Sequence, residues 1–572
     1  MSPRPPCYFT TPIYYVNDRP HIGHCFTTIV ADVAARFERL LRGAPPPGRP
    51  GPGAPAGEVF LLTGTDEHAD KVVTSAVEHR TTPQEWADRN AAEFERAFAA
   101  MGVANDDFIR TTEARHKERV PGYIRRMAAR GDVYRGDYTG WYDAGQEEYV
   151  TETSAKENDF KSAVTGRPLV RRTEPCYFFR LSKYAAPLAA RIEADPAFLT
   201  PEARRREVLG RIRLGLNDVP ISRPVTDDPA SQWGIRMPDD PAHRIYVWID
   251  ALFNYLTAVD TPARRHLWGN RAGARGPSPT GAPPSATVIH LLGKDILWFH
   301  AVIWPALLLS VGEALPTTIH AHGWWLSEGQ KMSKSLGNFI DLEQLQAYAR
   351  LHSLDALRWY LVTQGPVGAN DANFAHARFV EVYNADLANG VGNCTSRVSN
   401  MIGKYFDGRV PVDAEAAVRM APPADGYDWR GLAASAVERA AVAARALDLQ
   451  GALAQGVELV RKVDGYVNVT EPFRLAKLAA TDAGKRAQLA AILVNCAEAL
   501  RVAALLLAPA MPAKMAQVLE DWSSPAPAGV ALAELARLDG PHSLREGAPL
   551  RKGAILFQRI ESDAPPPPAA AA

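Results

Sequence analysis

Residues 7–24 read CYFTTPIYYVNDRPHIGH, and this stretch decides the fold. Cys7–Val16 is aromatic and β-branched and is followed by turn residues, which predicts a strand running into a loop. From His24 to Leu41 apolar residues recur at helical spacing, and Glu58–Gly64 is a short apolar run typical of a strand covered on both faces. The order strand, helix, strand predicts an α/β domain with a doubly wound parallel sheet. Its ligand site is expected at the carboxyl ends of the strands.

The rest of the chain divides by its pattern. A second β-like run, Thr287–Gly293, precedes an apolar helical pattern from Ile296 to Leu309, so the sheet is expected to resume after an interruption between about Glu113 and Pro241. Beyond Asn373 the pattern becomes helical, with long Ala/Leu/Val segments at Ala385–Tyr405, Trp429–Val463 and Arg486–Leu507. This predicts an all-helical domain. Gly43–Gly57 is predicted to be an exposed loop insertion, and the PPPPAAAA tail to be disordered.

Composition excludes several classes of protein. The chain has 572 residues, of which 47% are hydrophobic and 22% charged, as in a soluble globular protein. Lys+Arg and Asp+Glu both number 64, which excludes a generally polybasic nucleic-acid binder but leaves room for a local basic surface. The five cysteines form no C-x-x-C pair, so neither a disulfide framework nor a thiolate zinc knuckle is predicted. Without an apolar run of ~18 residues or a signal-peptide core, we expect a cytoplasmic protein that does not enter a membrane.

His21-Ile22-Gly23-His24 stands where the first strand gives way to the first helix. Backbone N–H groups, the positive end of the helix and two imidazoles would face one small volume, which predicts a phosphate site. Gly23 would leave room for a flat ring, such as adenine, against the backbone. Taken alone, the motif is equally compatible with a chance helix start that has partly buried histidines.

Lys331-Met332-Ser333-Lys334-Ser335 forms a second polar motif, predicted to be a mobile loop with two ammonium groups. Such lysines can neutralise a leaving pyrophosphate without covalent chemistry. An isolated match of this length would usually be a solvated loop. The two motifs together are far more specific than either alone.

Together these motifs carry a family resemblance, because they are the unaltered HIGH and KMSKS signatures of class I aminoacyl-tRNA synthetases. Further segments occur in a fixed order and make the chain resemble the methionyl-tRNA synthetases over about residues 7–560: TTPIYYVN at 10–17, LTGTDEH at 62–68, YFFRLSKY at 177–184, ISR at 221–223, YVWIDA at 246–251, Gly293-Lys294-Asp295 through His300, and YNADLAN at 383–389. The resemblance implies a Rossmann-like catalytic domain with an inserted connective domain, followed by an all-α anticodon-binding helical bundle.

The resemblance also implies domain boundaries. We expect the first half of the catalytic domain at 1–113, the connective insertion at 114–240, the second catalytic half at 241–325, the KMSKS loop and stem-contact region at 326–372, the anticodon-binding domain at 373–562 and a disordered tail at 563–572.

The family's substrate sites carry over residue by residue. For ATP the resemblance implies His21, Gly23, His24, Lys331, Met332, Ser333, Lys334 and Ser335, of which His21, His24, Lys331 and Lys334 would be catalytic. For methionine it implies Ile13, Tyr15, Trp248, Ala251, Tyr255 and His300, with Asp66 as the partner of the α-ammonium. A thioether is apolar and polarisable and favours aromatic edges, and a tyrosine hydroxyl or an imidazole can donate weakly to sulfur. Singly, each aromatic would also fit simple core packing.

In the helical domain, Asn393 and Arg397 match the family's anticodon-reading asparagine and arginine. Their i,i+4 spacing puts both on one helix face, where they can bond to unstacked base edges. Phe473 stands where the family typically has a tryptophan that stacks on an anticodon base. Phenylalanine keeps a stacking face but loses area and the indole N–H. The alternative for Phe473 is core packing.

The chain departs from the family's pattern in two places. Asp143–Glu148 contains no cysteine where many members carry zinc knuckles, which favours the knuckle-less subgroup and predicts no zinc. The chain also ends soon after Ile560 without the appended domain associated with dimerisation, so we expect a monomer.

The resulting hypothesis is a methionine–tRNA ligase that uses ATP with Mg²⁺ and charges tRNA(Met). A relative specific for leucine, isoleucine or valine would be expected to carry a larger editing insertion. A small-molecule adenylyltransferase would not need the long helical region. A paralogue that binds tRNA without charging it remains as the alternative outside the enzymes, and the intact HIGH and KMSKS residues argue against it.

Overall fold

The computed structural model of the chain describes residues 4–17, 19–45, 59–143, 148–150, 152–162, 166–269, 286–327, 329–332, 339–411 and 427–567. Part of the predicted Gly43–Gly57 loop and Ser333–Ser335 of the lysine motif lie outside these ranges.

A six-stranded parallel sheet forms the centre of the catalytic region. Across the sheet, its strands lie in the order Asp107–Arg110, Val59–Asp66, Cys7–Tyr15, Thr287–Gly293, Thr318–His322 and Leu199–Thr200. All eight residues of Val59–Asp66 are buried, which explains why the strand begins with four consecutive apolar residues, Val59–Leu62. The strand order reverses between Cys7–Tyr15 and Thr287–Gly293, and ligands bind at such a switch point. The predicted doubly wound α/β class is confirmed.

Helices cover both faces of this sheet. They are Ile22–Arg42, Asp70–Glu78, Pro83–Ala100, Ala114–Lys117, Val120–Ala129, Val247–Leu252, Asn254–Thr257, Phe299–Ile303 and Trp304–Val311, with 3₁₀ turns at Arg265–Leu267 and Lys294–Ile296. The first helix ends at Gly43, which has a φ of 70°. A Cβ atom there would lie 2.6 Å from the backbone nitrogen of Ala531, so both the turn and its close approach to the helical domain require glycine.

The region predicted as one insertion, residues 114–240, is only partly separate. Its independent parts are two antiparallel sheets, one of Glu148–Val150, Val133–Asp143, Val170–Phe179 and Val219–Pro220 and one of Arg236–Met237, Asp240–Ile245 and Ser222–Pro224, with helices Glu152–Glu157, Leu181–Tyr184, Ala185–Ala194, Glu202–Arg213 and Pro229–Gln232. However, Leu199–Thr200 pairs in parallel with Ile319 and His320 in the central sheet. The predicted boundaries are therefore wrong here, because the segment returns to complete the catalytic sheet.

The start of the predicted region also belongs to the catalytic core. Val120, Ile124 and Met127 are buried in the same apolar cluster as Leu307 and Leu308. The apolar face of helix Val120–Ala129 would be exposed if this helix left the core with the insertion. The separate part of the insertion thus begins near Val133.

A small three-stranded sheet, Gln330–Lys331, Trp325–Ser327 and Ala372–Phe374, and the helices Leu342–His352 and Leu354–Gln364 lead from the catalytic sheet to the helical domain. That domain consists of His376–Val382, Tyr383–Gly392, Asn393–Tyr405, Trp429–Arg445, Leu449–Thr470, Pro472–Leu478, Ala483–Leu507, Pro512–Asp521 and Leu532–Leu535. The segment predicted as Trp429–Val463 is two helices, because Leu447 adopts a φ of 60° and ends the first one.

Helix Ala483–Leu507 is long and apolar enough to cross a membrane by length and composition, yet 94% of its apolar 18-residue stretch is buried inside the protein. Its Glu498–Arg501 ion pair is buried, and Arg501 donates to the backbone carbonyl oxygens of Leu535 and Arg537. It therefore serves as the core helix of its domain.

Among residues 536–567 the chain forms neither helix nor strand, although the sequence pattern predicts helix as far as 562. These residues are held by specific contacts instead. Nε2 of His376 lies 2.9 Å from the carbonyl oxygen of Ala564, so the start of the tail predicted as disordered from 563 is packed against the domain. Residues 568–572 lie outside the described ranges.

Candidate active site

A cavity of about 670 Å³ opens at the switch point of the sheet, a size suited to a small-molecule substrate. The sequence-predicted residues that line it are Ile13, Tyr15, His21, Gly23, His24, Asp66, Trp248, Ala251, Tyr255, His300 and Met332. They come from six strands or helices, apart from His21 and Met332, and the fold brings them into one volume.

The two histidines of the first motif are held by the start of the first helix. Nδ1 of His21 accepts a hydrogen bond from the Gly23 N–H at 3.0 Å, and Nδ1 of His24 accepts one from the His21 N–H at 3.4 Å. Each neutral ring therefore carries its proton on Nε2. Burial, reinforced by the neighbouring His21, holds the pKa of His24 well below its usual value. His24 is thus a neutral hydrogen-bond donor at neutral pH.

This geometry corrects the prediction that backbone N–H groups at the helix start are available to a phosphate. The Ile22 N–H donates to the Ile340 carbonyl oxygen, and the Gly23 N–H is taken by His21. The Nε2–H groups of the two imidazoles are hydrogen-bond donors of the kind that an anion requires. A Cβ atom on Gly23 would also lie 2.9 Å from Cε1 of His21, so glycine is needed for the histidine ring itself.

Asp66 ends the second strand and is buried at the wall of the cavity. Its Oδ1 has no hydrogen-bond partner among the described residues. Burial raises the pKa of Asp66 well above its usual value, and the nearby Asp250 raises it further. A buried carboxyl with a free oxygen facing a cavity is a site for a cationic group.

An aromatic wall faces this carboxyl. The rings of Trp248 and Phe299 stack with their centroids 3.9 Å apart, and Tyr15 meets Trp248 edge-on at 5.9 Å. Stacked and edge-on aromatics present polarisable surface, which suits an apolar or thioether side chain. Phe299 begins a π-helical turn that also places His300 in the cavity, and such turns are frequent at functional sites.

Tyr255 and His300 form the deep end of the cavity. The Tyr255 hydroxyl lies 2.7 Å from Nε2 of His300, while Nδ1 of His300 lies 3.0 Å from the Ile296 carbonyl oxygen. Burial lowers the pKa of His300 to about 4, so the ring is neutral, donates from Nδ1 and accepts from Tyr255. Both protons that we expected to be available to a thioether are therefore used within this pair.

A buried triad that sequence reasoning missed supports the aromatic wall. Asp250 precedes Ala251 and lies between Nδ1 of His68 at 2.5 Å and Nε2 of His116 at 2.7 Å. Burial opposes ionisation of Asp250, but His68 and His116 outweigh it and lower the pKa to about 2. His68 and Asp250 lie in the segments 62–68 and 246–251, which resemble the family, but His116 lies in neither. No local sequence pattern therefore links the three residues.

A second missed group closes the opposite side. Asp295 lines the cavity and accepts a hydrogen bond from the Trp324 indole at 3.2 Å. The neighbouring Lys294 pairs with Asp371 at 2.6 Å and lies over the Trp324 ring. A Cβ atom on Gly293 would lie 2.5 Å from Oδ1 of Asp295, so the glycine admits this carboxylate. The Gly293-Lys294-Asp295 run in the sequence was the available signal.

The lysine motif is only partly described. Lys331 pairs through its backbone with Leu326, and Met332 lines the cavity, so the motif starts at the cavity wall. Ser333, Lys334 and Ser335 lie outside the described residues.

Where the structure describes the chain, no group of three or more His, Cys, Asp or Glu side chains could hold a metal ion. Residues 144–147, on which the prediction of no zinc knuckle depends, lie outside those ranges.

The predicted anticodon residues lie in the helical domain. Asn393 is exposed at the start of its helix, and Arg397 donates to Asp464 at 2.9 Å and to Asn468 at 3.1 Å. These two partners, which the sequence did not reveal, hold the guanidinium against helix Leu449–Thr470. Phe473 is 43% exposed, so the core-packing alternative does not describe it.

Comparison with known proteins gives consistent matches. A family model described as tRNA synthetases class I (M) matches residues 7–399. The chain is 38% identical to the methionine--tRNA ligase of Streptomyces coelicolor, over 97% of this chain and 96% of that protein, and 37% identical to that of Rhizobium meliloti, over 98% and 99%. The methionyl-tRNA synthetase of Mycobacterium tuberculosis in complex with methionyl-adenylate has a TM-score of 0.79 and 34% identity, covering 97% of this chain and 100% of that one.

Proposed function

The chain belongs to the methionyl-tRNA synthetases of the class I tRNA synthetase family, and from this premise we propose which of its residues carry out each step of charging. It is a methionine–tRNA ligase that activates methionine with ATP and transfers it to tRNA(Met). The observation that carries the residue assignment is the buried Asp66, whose Oδ1 lacks a partner, in the same cavity as the aromatic wall and both motif histidines.

Methionine is proposed to bind with its α-ammonium on Asp66 and its side chain between Ile13, Tyr15, Trp248, Ala251, Tyr255 and His300. The ammonium satisfies the free carboxylate oxygen, which is otherwise a buried polar atom without compensation. The thioether meets the ring surfaces of the aromatic wall. The Asp250 triad acts by fixing helix Val247–Leu252 behind them.

In the first step the methionine carboxylate attacks the α-phosphate of ATP, giving methionyl-adenylate and pyrophosphate. His21 and His24 are proposed to donate from Nε2 to the phosphate oxygens as charge develops there. Lys331 and Lys334, with Met332, Ser333 and Ser335, would enclose the β and γ phosphates. No covalent nucleophile is needed, since positioning and electrostatic stabilisation suffice.

Asp295 adds a carboxylate to the lining of the cavity that also contains Gly23. A carboxylate there can accept hydrogen bonds from ribose hydroxyls. We propose this role for it because the Trp324 indole holds it at the cavity wall, where Gly293 leaves room for the carboxylate.

In the second step the terminal ribose hydroxyl of the tRNA attacks the adenylate carbonyl, and AMP leaves. The helical domain, residues 373–562, is proposed to read the anticodon through Asn393, Arg397 and Phe473. The first catalytic half is proposed to extend from residue 1 past its predicted end at 113 to about 132, and the insertion to run from near Val133 to 240. The second catalytic half at 241–325 and the region at 326–372 are proposed as predicted.

ATP is proposed to enter as its Mg²⁺ complex, because Mg²⁺ keeps several waters and binds through substrate phosphates rather than a dedicated protein cage. We further propose that the protein acts as a monomer in the cytoplasm and without zinc.

Amino-acid-dependent ATP–pyrophosphate exchange tests the assignment. The wild-type protein is expected to exchange with methionine and none of the other nineteen amino acids, and Asp66→Asn to lose this activity through a raised methionine KM. Exchange by Asp66→Asn with an unchanged KM would remove Asp66 from the ammonium site. Selective exchange with another amino acid would overturn the pocket.

A further inference from the structure

A groove in the helical domain carries a concentration of positive charge that the proposed anticodon residues do not account for. It has a volume of about 640 Å³ and lies between the end of helix Asn393–Tyr405 and the extended segment Pro549–Lys552. Lys404, Arg409, Arg551 and Lys552 line it with a single carboxylate, Asp407. The chain as a whole has no net charge, so this excess is local.

Backbone pairing builds the groove from two distant parts of the chain. The Leu550 N–H donates to the Gly408 carbonyl oxygen at 2.8 Å, and the Val410 N–H donates to that of Ala548 at 2.9 Å. These bonds hold Arg551 and Lys552 next to the loop that follows the helix. The charges are therefore placed by the fold rather than by a run of basic residues.

The cations are available to a partner. Lys404, Arg409, Arg551 and Lys552 are all exposed. Where the structure describes the chain, Lys404, Arg551 and Lys552 make no ion pair, and Arg409 bonds only to the Gly547 carbonyl oxygen. Surface cations are commonly paired with nearby carboxylates, and here that position is left to solvent or to an external anion.

The groove continues the proposed anticodon-reading face. Asn393, Arg397, Asn400 and Lys404 follow one another at i, i+4, i+7 and i+11, so they lie on one side of the helix. At ~1.5 Å per residue, Asn393 and Lys404 are about 16 Å apart along the axis. An RNA whose loop contacts Asn393 and Arg397 can reach the groove with the adjoining part of its backbone.

We infer that this basic groove binds the sugar–phosphate backbone of the RNA stem that adjoins the anticodon loop. Lys404, Arg551 and Lys552 neutralise phosphates, and the Asn400 amide can donate to a phosphate oxygen or a ribose hydroxyl. Such contacts position the RNA and carry no sequence information, so the groove adds affinity while Asn393, Arg397 and Phe473 read bases. The inference rests on the proposed function of the helical domain.

Salt dependence tests the groove. We would measure kcat/KM for tRNA at 50–200 mM KCl with Lys404→Ala, Arg551→Ala, Lys552→Ala and the triple variant. Each removed phosphate contact should reduce the slope of log kcat/KM against log salt by about 0.7–0.9. Between 50 and 200 mM KCl the fall in kcat/KM should therefore be about 20–40-fold smaller for the triple variant than for the wild type. Circular dichroism and thermal unfolding of each variant report that its helical domain has folded.

The matched control is Arg439→Ala, which removes an exposed cation of the same domain that bonds to Gln455 and does not line the groove. The triple variant could keep the wild-type salt slope while Arg397→Ala loses tRNA charging. That result would overturn RNA binding by the groove and leave the proposed anticodon face intact. If Arg397→Ala and Phe473→Ala also charge tRNA normally, the proposed anticodon face itself fails.

A binding titration separates RNA from an acidic protein partner. An anticodon stem-loop RNA and poly-L-glutamate are each titrated against the wild type and the triple variant at the same salt concentration. Weakened binding of the stem-loop by the triple variant supports the proposal. Weakened binding of poly-L-glutamate alone would overturn it in favour of an acidic protein.

Discussion

Nη2 of Arg358 donates to Oδ2 of Asp32 at 2.6 Å, and neither side chain is exposed. The same guanidinium bonds to backbone carbonyl oxygens of Met101, Gly102, Pro509 and Ala510. Asp32 lies on the helix that begins with the motif histidines, while Ala510 belongs to the helical domain. This one buried ion pair therefore joins the phosphate side of the catalytic cavity to the proposed tRNA-reading part of the molecule.

Arg358→Met should lower the free energy of unfolding by up to about 3–5 kcal/mol, since it removes one of the two arginines that pair with the buried Asp32 carboxylate and leaves only Arg36, whose Nε lies 2.7 Å from Oδ2. Urea unfolding measures the loss. Arg96→Met, which removes an exposed partner of Glu93, should cost less than about 1 kcal/mol. Adding Asp32→Asn to Arg358→Met should recover part of the loss. A further loss in the double variant would show that packing, rather than the unpaired charge, dominates.

Methionine binding should release a proton from Asp66. Burial and the Asp250 charge raise the pKa of Asp66, so its carboxyl keeps its proton to a higher pH than an ordinary aspartate does, whereas an α-ammonium favours the ionised form. Affinity for methionine should rise with pH until the raised pKa is passed. Calorimetry in two buffers with different ionisation enthalpies should show release of about one proton per methionine. Equal heats in both buffers would mean that Asp66 is already ionised.

The raised pKa of Asp66 also means that this residue lowers the stability of the substrate-free protein at neutral pH. Above the unfolded pKa of ~3.9 the unfolded chain gives up this proton, and stability falls until the pKa of the folded state is reached. Asp66→Asn should therefore stabilise the free protein at neutral pH by about 0.5–2 kcal/mol while impairing methionine binding. Thermal unfolding without substrates measures this change. A lower melting temperature for Asp66→Asn would show that the carboxyl is stabilised by contacts other than the substrate.

Local periodicity was enough to predict the central parts of the sheet and the first helix. The strand Val59–Asp66 is buried on both faces and the helix Ile22–Arg42 has a buried apolar face, so each shows its own hydrophobic pattern in the sequence. Leu199–Thr200 could not be recognised, because two residues show no period and only the neighbouring Thr318–His322 makes them a strand.

Some residues of the candidate site could likewise be predicted from the sequence, and others could not. His21 and His24 are three residues apart and could be found from a motif. In contrast, Asp250 meets His68 across 182 residues of sequence, and Arg397 meets Asp464 across 67. These pairs exist only after the chain has folded, and nothing in the spacing of either member indicates the other.

His24→Ala should slow methionine-dependent pyrophosphate exchange by about 10²-fold, the usual cost of losing one transition-state hydrogen-bond donor. Because burial holds the pKa of His24 well below its usual value, the ring stays neutral between pH 6 and 8, and the loss should be constant across that range. The control is His266→Ala, an exposed histidine outside the cavity. A loss that grows or vanishes within this pH range would contradict a neutral donor, and an unchanged rate would remove His24 from the mechanism.

Phe473→Ala should raise the KM for tRNA by the loss of one base stack, about 1–3 kcal/mol or roughly 5–150-fold. It should leave exchange unaltered, because the step without tRNA does not involve the helical domain. The exposed ring contributes little to the core, so unfolding should change little as well. Leu478→Ala is the matched control, since it shortens another exposed apolar side chain of the same short helix. Phe473→Trp should lower KM below the wild-type value, because the indole enlarges the stacking surface and restores an N–H donor. If alanine and tryptophan at this position give the same KM, Phe473 does not stack on a base.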